Sequence, residues 1–140
     1  MNEFAIRARG LTRQFASVRA LEDLTIEVPA GSVFGFLGPN GAGKTTTIRL
    51  LLSLIAPTSG SAEVLGFDTL TQGHEIRARC GALLEHSGLY ERLSAEDNLR
   101  FYGRVARMPH PDLEKRMEEL LRHMGLWDRR KEVVVKWSRV

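Results

Sequence analysis

The residues best placed to do chemistry run Gly38-Pro39-Asn40-Gly41-Ala42-Gly43-Lys44-Thr45-Thr46. Gly38, Gly43, Lys44 and Thr45 occupy the fixed positions of G-x-x-x-x-G-K-[ST], a spacing suited to phosphate groups. A polyphosphate carries several negative charges that must be matched once water is stripped away. Backbone N–H groups around Gly41 to Thr45 can form a concave nest, and a helix N-terminus adds the positive end of its dipole. Glycine is needed where φ is positive or where a side chain would block the phosphates. Lys44 supplies a mobile full charge for the outer phosphates, and the Thr45 hydroxyl can coordinate Mg²⁺.

The elements that must position this loop lie on either side of it. Val33-Phe34-Gly35-Phe36-Leu37 reads as a short buried parallel strand. Thr46 to Ile55 reads as a helix, with Ile48, Leu51, Leu52 and Ile55 at helical spacing. The alternative is a Gly-rich turn before a core helix. The order strand, glycine-rich loop, helix favours nucleotide binding, although the loop alone names no enzyme.

The 140 residues have room for one domain with a core of its own, or one and a part. Hydrophobic residues at 43% and charged residues at 26% are ordinary for a soluble globular protein. No apolar run approaches the roughly 20 residues that span a bilayer, and the N-terminus lacks a signal-peptide pattern. One cysteine, Cys80, cannot form an internal disulfide, which suits a reducing cytoplasm; it reads as a small buried residue at a strand start. The net charge of +3 is mild and the arginines are spread out, so nucleic-acid binding is not indicated. Arg129-Arg130-Lys131 reads as a solvated turn, with a phosphate or lipid contact as the alternative. His74, His86, His110 and His123 show no metal-ligand spacing with one another or with Cys80.

Two parts are expected. Residues 1–92 form a core with the loop and a β-subdomain, and residues 93–140 begin a helical subdomain. Phe4 to Ala8 and Leu24 to Val28 alternate as half-buried strands, with Val18 to Asp23 as a turn between them. Pro57-Thr58-Ser59-Gly60 is a turn, Ala62 to Leu65 a short strand closed by Gly66, Thr71 to Arg79 a weak helix or turn, and Gly81 to Leu84 another buried strand. Ser94 is expected to N-cap a helix with Asp97 at N3, and Leu99, Tyr102, Val105 and Ala106 share one side of it. After Pro109, a second helix with Pro111 in its first turn carries the stripe Leu113, Met117, Leu120, Leu121 and Met124 and stops at Gly125.

Beyond the loop, four segments carry a resemblance. They are Leu21 to Gly31 before the loop, Gly38 to Thr47 itself, the turn Ala56-Pro57-Thr58-Ser59-Gly60, and Leu93-Ser94-Ala95-Glu96-Asp97-Asn98-Leu99. The last is similar to Leu-Thr-x-x-Glu-Asn-Leu. As a set they make the chain resemble the first part of an ATP-binding-cassette (ABC) transporter ATPase, most similar to the bacterial drug- and lantibiotic-export group. The resemblance implies an α/β fold: a P-loop NTPase (ABC ATPase) core with an antiparallel β-subdomain and the start of an α-helical subdomain, incomplete. It implies ATP and Mg²⁺ as ligands, a transmembrane permease and a second nucleotide-binding domain as partners, and a cytoplasmic place on the inner face of the membrane, reached only through the permease.

The resemblance also assigns roles. The aromatic that stacks on adenine, about two dozen positions before the loop, falls on Phe15, whose alternative is a core aromatic. Lys44 would hold the outer phosphates, Thr45 the Mg²⁺ and Thr46 the inner phosphate. Gly38, Pro39, Asn40, Gly41, Ala42 and Gly43 would form the cradle. Where the family usually has a Gln touching Mg²⁺ and the attacking water, this chain has Glu85. A carboxylate can do both, and the alternative is an exposed strand-end residue. Ser87 to Arg92 would face the permease.

Trp137-Ser138-Arg139 matches the start of the family's signature motif, similar in this group to Ser-x-Gly-Met-x-Gln, but position 140 is Val where Gly is needed. The strand ending in Asp and a catalytic Glu, and the later switch His, have no match in these residues. The expectation is a chain that alone binds ATP without steady hydrolysis. Its phosphate-loop strand is expected to lack a central parallel neighbour, leaving exposed apolar surface and a tendency to self-associate. The alternative function is a truncated, non-hydrolysing nucleotide-binding module with a regulatory role or none. An ABC ATPase of a soluble system and a GTPase fit less well.

Overall fold

A computed structural model describes residues 3–83 and 88–137. Glu85 and the partial signature residues Ser138, Arg139 and Val140 lie outside the described residues. The chain divides into two compact units, Met1–Leu84 and Glu85–Val140.

The first unit is built on a hairpin. Strand β1, Phe4–Phe15, and strand β2, Val18–Pro29, pair antiparallel through Phe15 and Val18. Residues 18–23, expected as a turn, are therefore strand, and the turn is Ala16-Ser17, with Ala16 in the left-handed region at φ 48°. The pairing shifts register at Ala8/Leu11, Leu11/Arg13 and Arg13/Gln14. Each shift breaks the period-two alternation that a strand otherwise shows, so only the ends of the hairpin look like strand in the letters. β1 pairs on its other side with β3, Ser59–Val64, and β3 with the short β4, Phe67–Asp68. The sheet order is β2-β1-β3-β4, all antiparallel. Leu65 and Gly66, at φ 54° and 83°, make the turn from β3 to β4, as hairpins with right-handed strand twist prefer.

Helix α1, Lys44–Leu51, starts earlier and ends sooner than its apolar spacing predicts. Its end is fixed by a backbone motif: Ser53 N–H donates to the Leu50 carbonyl and Leu54 N–H to that of Arg49, with Ser53 at φ 57°. Arg77 at the end of the short helix α2, Gly73–Arg77, donates to the Leu52 and Ser53 carbonyls at 3.3 and 3.0 Å. Leu50 and Leu51 then enter the core with Ala8, Leu11, Leu21, Ala62, Val64 and Ile76. Burying one such leucine or isoleucine contributes about 1.5–3 kcal/mol, so α1 is held on the sheet chiefly by that pair. Cys80 packs half-buried beside this cluster, not at a strand start.

The two expected buried strands are not found. Residues 32–40 and 81–83 form no strand; Val33 and Leu37 are fully exposed, at 103% and 92%, and Leu83 is 83% exposed. A parallel strand exists only with a neighbour on which to pair its amides. Every ladder among the described residues is antiparallel and lies elsewhere.

The second unit holds α3, Ala95–Val105, and α4, His110–His123. Ser94 caps α3, its Oγ accepting from Asp97 N–H at 3.1 Å and donating to the Asp97 carboxylate at 2.6 Å. The inward face of α3 agrees with the expected one only at Leu99, which packs against Ala95, Met117 and Leu121. Tyr102 and Val105 are exposed, and the buried residues are Ala95 and Asn98. Asn98 is sealed because its amide is fully used: it accepts from Tyr90 N–H and donates to the carbonyls of Tyr90 and Ser94. On α4, Leu113, Met117 and Leu121 are buried, while Met124 is exposed. Gly125, at φ 67°, ends the helix. Trp127 lies under two guanidinium groups, Arg130 at 4.1 Å and Arg122 at 4.6 Å from its ring centre.

Arg100 joins the two helices by a bidentate pair with Glu114, at 2.7 and 3.0 Å. That hydrogen-bonded guanidinium holds the Glu114 carboxyl below the usual range. A carboxyl lowered in the folded state contributes stability that is complete above the ordinary glutamate range and is lost as pH falls through the lowered folded value. Glu114→Gln is therefore expected to flatten the acid limb of a helical-signal pH titration and to leave a smaller stability at neutral pH. An unchanged acid limb would show that this pair carries no pH dependence.

Candidate functional site

The loop expected to hold phosphate is continuous with α1 and is shaped by two glycines. Gly41 and Gly43 lie at φ 85° and 83°, and Ala42 N–H closes a tight turn on the Pro39 carbonyl at 3.2 Å. Gly43 is the N-cap of α1 and offers no side chain to satisfy the first amides. The helical ladder opens with Thr47 N–H on the Gly43 carbonyl, reinforced by the Thr47 hydroxyl at 2.9 Å. The amides of Lys44, Thr45 and Thr46 precede that first bond, and amides in this position need an acceptor from outside the helix. No acidic side chain occupies the first turn.

Lys44 folds back over the same loop. Its ammonium donates to the Gly38 carbonyl at 2.6 Å and to the Pro39 carbonyl at 2.7 Å. The charge is thus held over the start of the loop whose far end leads into those amides. Thr45 and Thr46 are half-buried beside it, and Pro39, Asn40, Gly41 and Ala42 are exposed. Amide donors, one ammonium and a hydroxyl on a single turn form a donor set that fits a polyphosphate with a divalent cation.

The loop rests on β2. A Cβ at Gly43 would lie 2.5 Å from the Ala20 carbonyl oxygen and 3.2 Å from Leu21 Cδ1. One paired position, Gln14 with Arg19, separates this seat from the hairpin tip, where Phe15 ends β1 and stands 42% exposed. Phe15 is therefore no core aromatic. The Arg13 guanidinium lies over its ring, 4.4 Å from the centre. Neither the Ala20 seat nor Arg13 was singled out from the letters. A period-two reading extended through Arg13 and Phe15 would have placed both on one face of a strand, but the register shifts conceal that strand.

A family model described as ABC transporter matches residues 21–139. The chain is 36% identical over 138 residues to the daunorubicin resistance ATP-binding protein DrrA3 of Streptomyces coeruleorubidus, covering 99% of this chain and 44% of that protein. It is 38% identical over 133 residues to the bacitracin transport ATP-binding protein BcrA of Bacillus licheniformis, covering 95% of this chain and 42% of the other. A solved structure of an ATP-binding subunit of an ABC transporter superposes with a TM-score of 0.81 at 27% identity, over 96% of this chain and 56% of that one. Fold and loop together define a protein of the phosphate-binding-loop class. Within that class, the chain belongs to the ABC transporter family. It spans less than half the length of these two relatives.

The two positive-φ glycines should respond differently to alanine. Nothing lies within 4 Å of a Cβ added at Gly41, so Gly41→Ala carries only the left-handed penalty of about 1–2 kcal/mol. Gly43→Ala adds a collision with the β2 backbone and is expected to cost at least about 2 kcal/mol more. Urea midpoints of the two variants measure the difference, and equal midpoints would disprove the seat on β2.

Proposed function

We propose that this chain binds ATP with Mg²⁺ as part of the ATP-binding subunit of an ABC transporter. In the whole protein it couples ATP binding and hydrolysis to transport, in the export direction, through a membrane permease. The observation that carries the reading is the Lys44 ammonium folded back over a loop that ends in the uncapped start of α1, in a chain of this family. The names of the drug-resistance and bacitracin-transport relatives support the direction.

Lys44 binds the outer phosphates, exchanging the Gly38 and Pro39 carbonyls for phosphate oxygens. The Gly41 to Thr46 backbone cradles the inner ones, the Thr45 hydroxyl ligates Mg²⁺, and Phe15 stacks on the adenine. When bound, Mg²⁺ neutralises charge on the phosphates and so favours attack by water. Glu85 would help to hold Mg²⁺ and to orient that water. A second nucleotide-binding domain closes over the nucleotide. The chain meets the membrane through the permease, at its cytoplasmic face; among the described residues no helix is long and apolar enough to cross a membrane.

For the 140 residues by themselves the reading is binding without steady turnover. Among the described residues the segment leading into the loop joins no strand, with Val33 and Leu37 in solvent, and the close support seen beneath the loop is β2. This favours the non-hydrolysing behaviour for the isolated chain while leaving the transport role to the whole protein.

Titration of the chain with a fluorescent ATP analogue and Mg²⁺ should give saturable binding, displaced by ATP. Lys44→Ala should weaken it by about ten-fold or more, since it removes a charge-assisted contact. Phosphate release should stay at background. Binding that ignores Lys44→Ala would sink the site assignment, and Lys44-dependent phosphate release would overturn the non-hydrolysing reading of the isolated chain.

A further inference from the structure

Arg13 makes two contacts that link opposite ends of the proposed site. Its guanidinium lies 4.4 Å from the centre of the Phe15 ring. Its Nη1 donates to the Ala56 carbonyl at 2.9 Å. Ala56 follows the end of α1, the helix whose other end forms the phosphate cradle. The turn containing Ala56 is fastened to β1 by Thr58 N–H on the Thr12 carbonyl at 2.8 Å and by Gln14 N–H on the Thr58 hydroxyl at 3.0 Å. Arg13 Nε is buried and has no hydrogen-bond partner, so the group is located by the Ala56 carbonyl and the aromatic face.

We propose that Arg13 is a positioning residue for the nucleotide base, acting through Phe15. The inference rests on the reading of Phe15 as the adenine platform. A cation over one face of an aromatic ring is attracted to its π electrons and draws electron density toward itself. The opposite face then becomes a better partner for an electron-rich purine. The ring is 42% exposed with Arg13 covering one side, which leaves surface for a second planar group. Through Ala56, Arg13 also fixes where that surface stands relative to α1, and hence the span between base and phosphates. Arg13 therefore acts on base binding, through the face and the placement of Phe15, and not on the phosphate cradle itself.

The test uses the 140-residue chain and two probes with Mg²⁺: ATP, and inorganic tripolyphosphate, which has the charge but no base. The variants are Arg13→Met, which keeps the apolar stem, Arg13→Lys, Phe15→Ala, and Arg13→Met combined with Phe15→Ala. Each is checked for fold by circular dichroism. Phe15→Ala is expected to weaken ATP by about ten-fold, the worth of one stacked base, and to leave tripolyphosphate unchanged. Arg13→Met is expected to weaken ATP by about three- to ten-fold, again sparing tripolyphosphate, with Arg13→Lys recovering part of the loss. The double variant should bind ATP no more weakly than Phe15→Ala alone. Equal loss for both probes in Arg13→Met would make Arg13 a strut of the fold and overturn the inference. So would unchanged ATP binding in Arg13→Met beside a weakened Phe15→Ala. If Phe15→Ala itself leaves ATP binding intact, the platform reading fails first and takes the inference with it.

Discussion

A loop of backbone amides can hold charge in one place only if something rigid stands behind it. In this chain the support is the backbone of β2, which passes so close beneath Gly43 that no side chain fits between them. The contact orders a series of other features. It obliges the last loop residue before α1 to be glycine, places the first turn of α1 at a fixed height over the sheet, and lets Leu50 and Leu51 reach the core below. β2 is in turn held by β1, which is itself paired on its other side with β3. The hairpin is thus both the floor of the loop and the arm that carries Phe15.

The second unit meets a different constraint. Its cluster of fully buried apolar residues is small, with Ala95, Met117 and Leu121 at the centre. Polar groups therefore take part in the packing. Asn98 is buried only because three backbone groups use its amide, and in satisfying them it fixes the chain at Tyr90. Trp127 is covered by the guanidinium groups of two arginines, which are attracted to its π face. The same economy explains Arg100, which reaches Glu114 on the neighbouring helix and Glu96 on its own. Arg129 and Arg130, read from the sequence as a solvated turn, are tied to Glu132 and Glu96 respectively.

What was legible in the sequence is what is decided locally. The glycine and lysine spacing of the loop, the Ser94 cap, the proline in the first turn of α4 and its terminal glycine each act within a few residues, and each stands where the letters put it. The full hairpin was hidden because its pairing slips three times between Ala8 and Gln14. The end of α1 was misread because Ile55 continues the apolar spacing, whereas termination depends on a left-handed Ser53 and on Arg77 from another helix. The strand expected at 33–37, and the described part, 81–83, of the one expected at 81–84, failed for the opposite reason. Their apolar character is real, but strand is a relation between segments, and the described residues provide no partner. The proposed site shows the same division: the Lys44 and glycine spacing is local, while the contact of Arg13 with Phe15 depends on β1 running as far as Phe15.

The capping of α1 by Arg77 has an electrostatic consequence. An isolated helix ends in partial charges of about half a unit, positive at its start and negative at its finish, and at a distance the two cancel in part. Here the finish receives hydrogen bonds from the Arg77 guanidinium at Leu52 and Ser53, with Arg49 also in the last turn, while the first turn holds no acid. The negative pole is quenched and the positive one is left uncompensated. To an approaching anion α1 therefore looks less like a dipole than a monopole, whose field falls off more slowly with distance and points out of the loop.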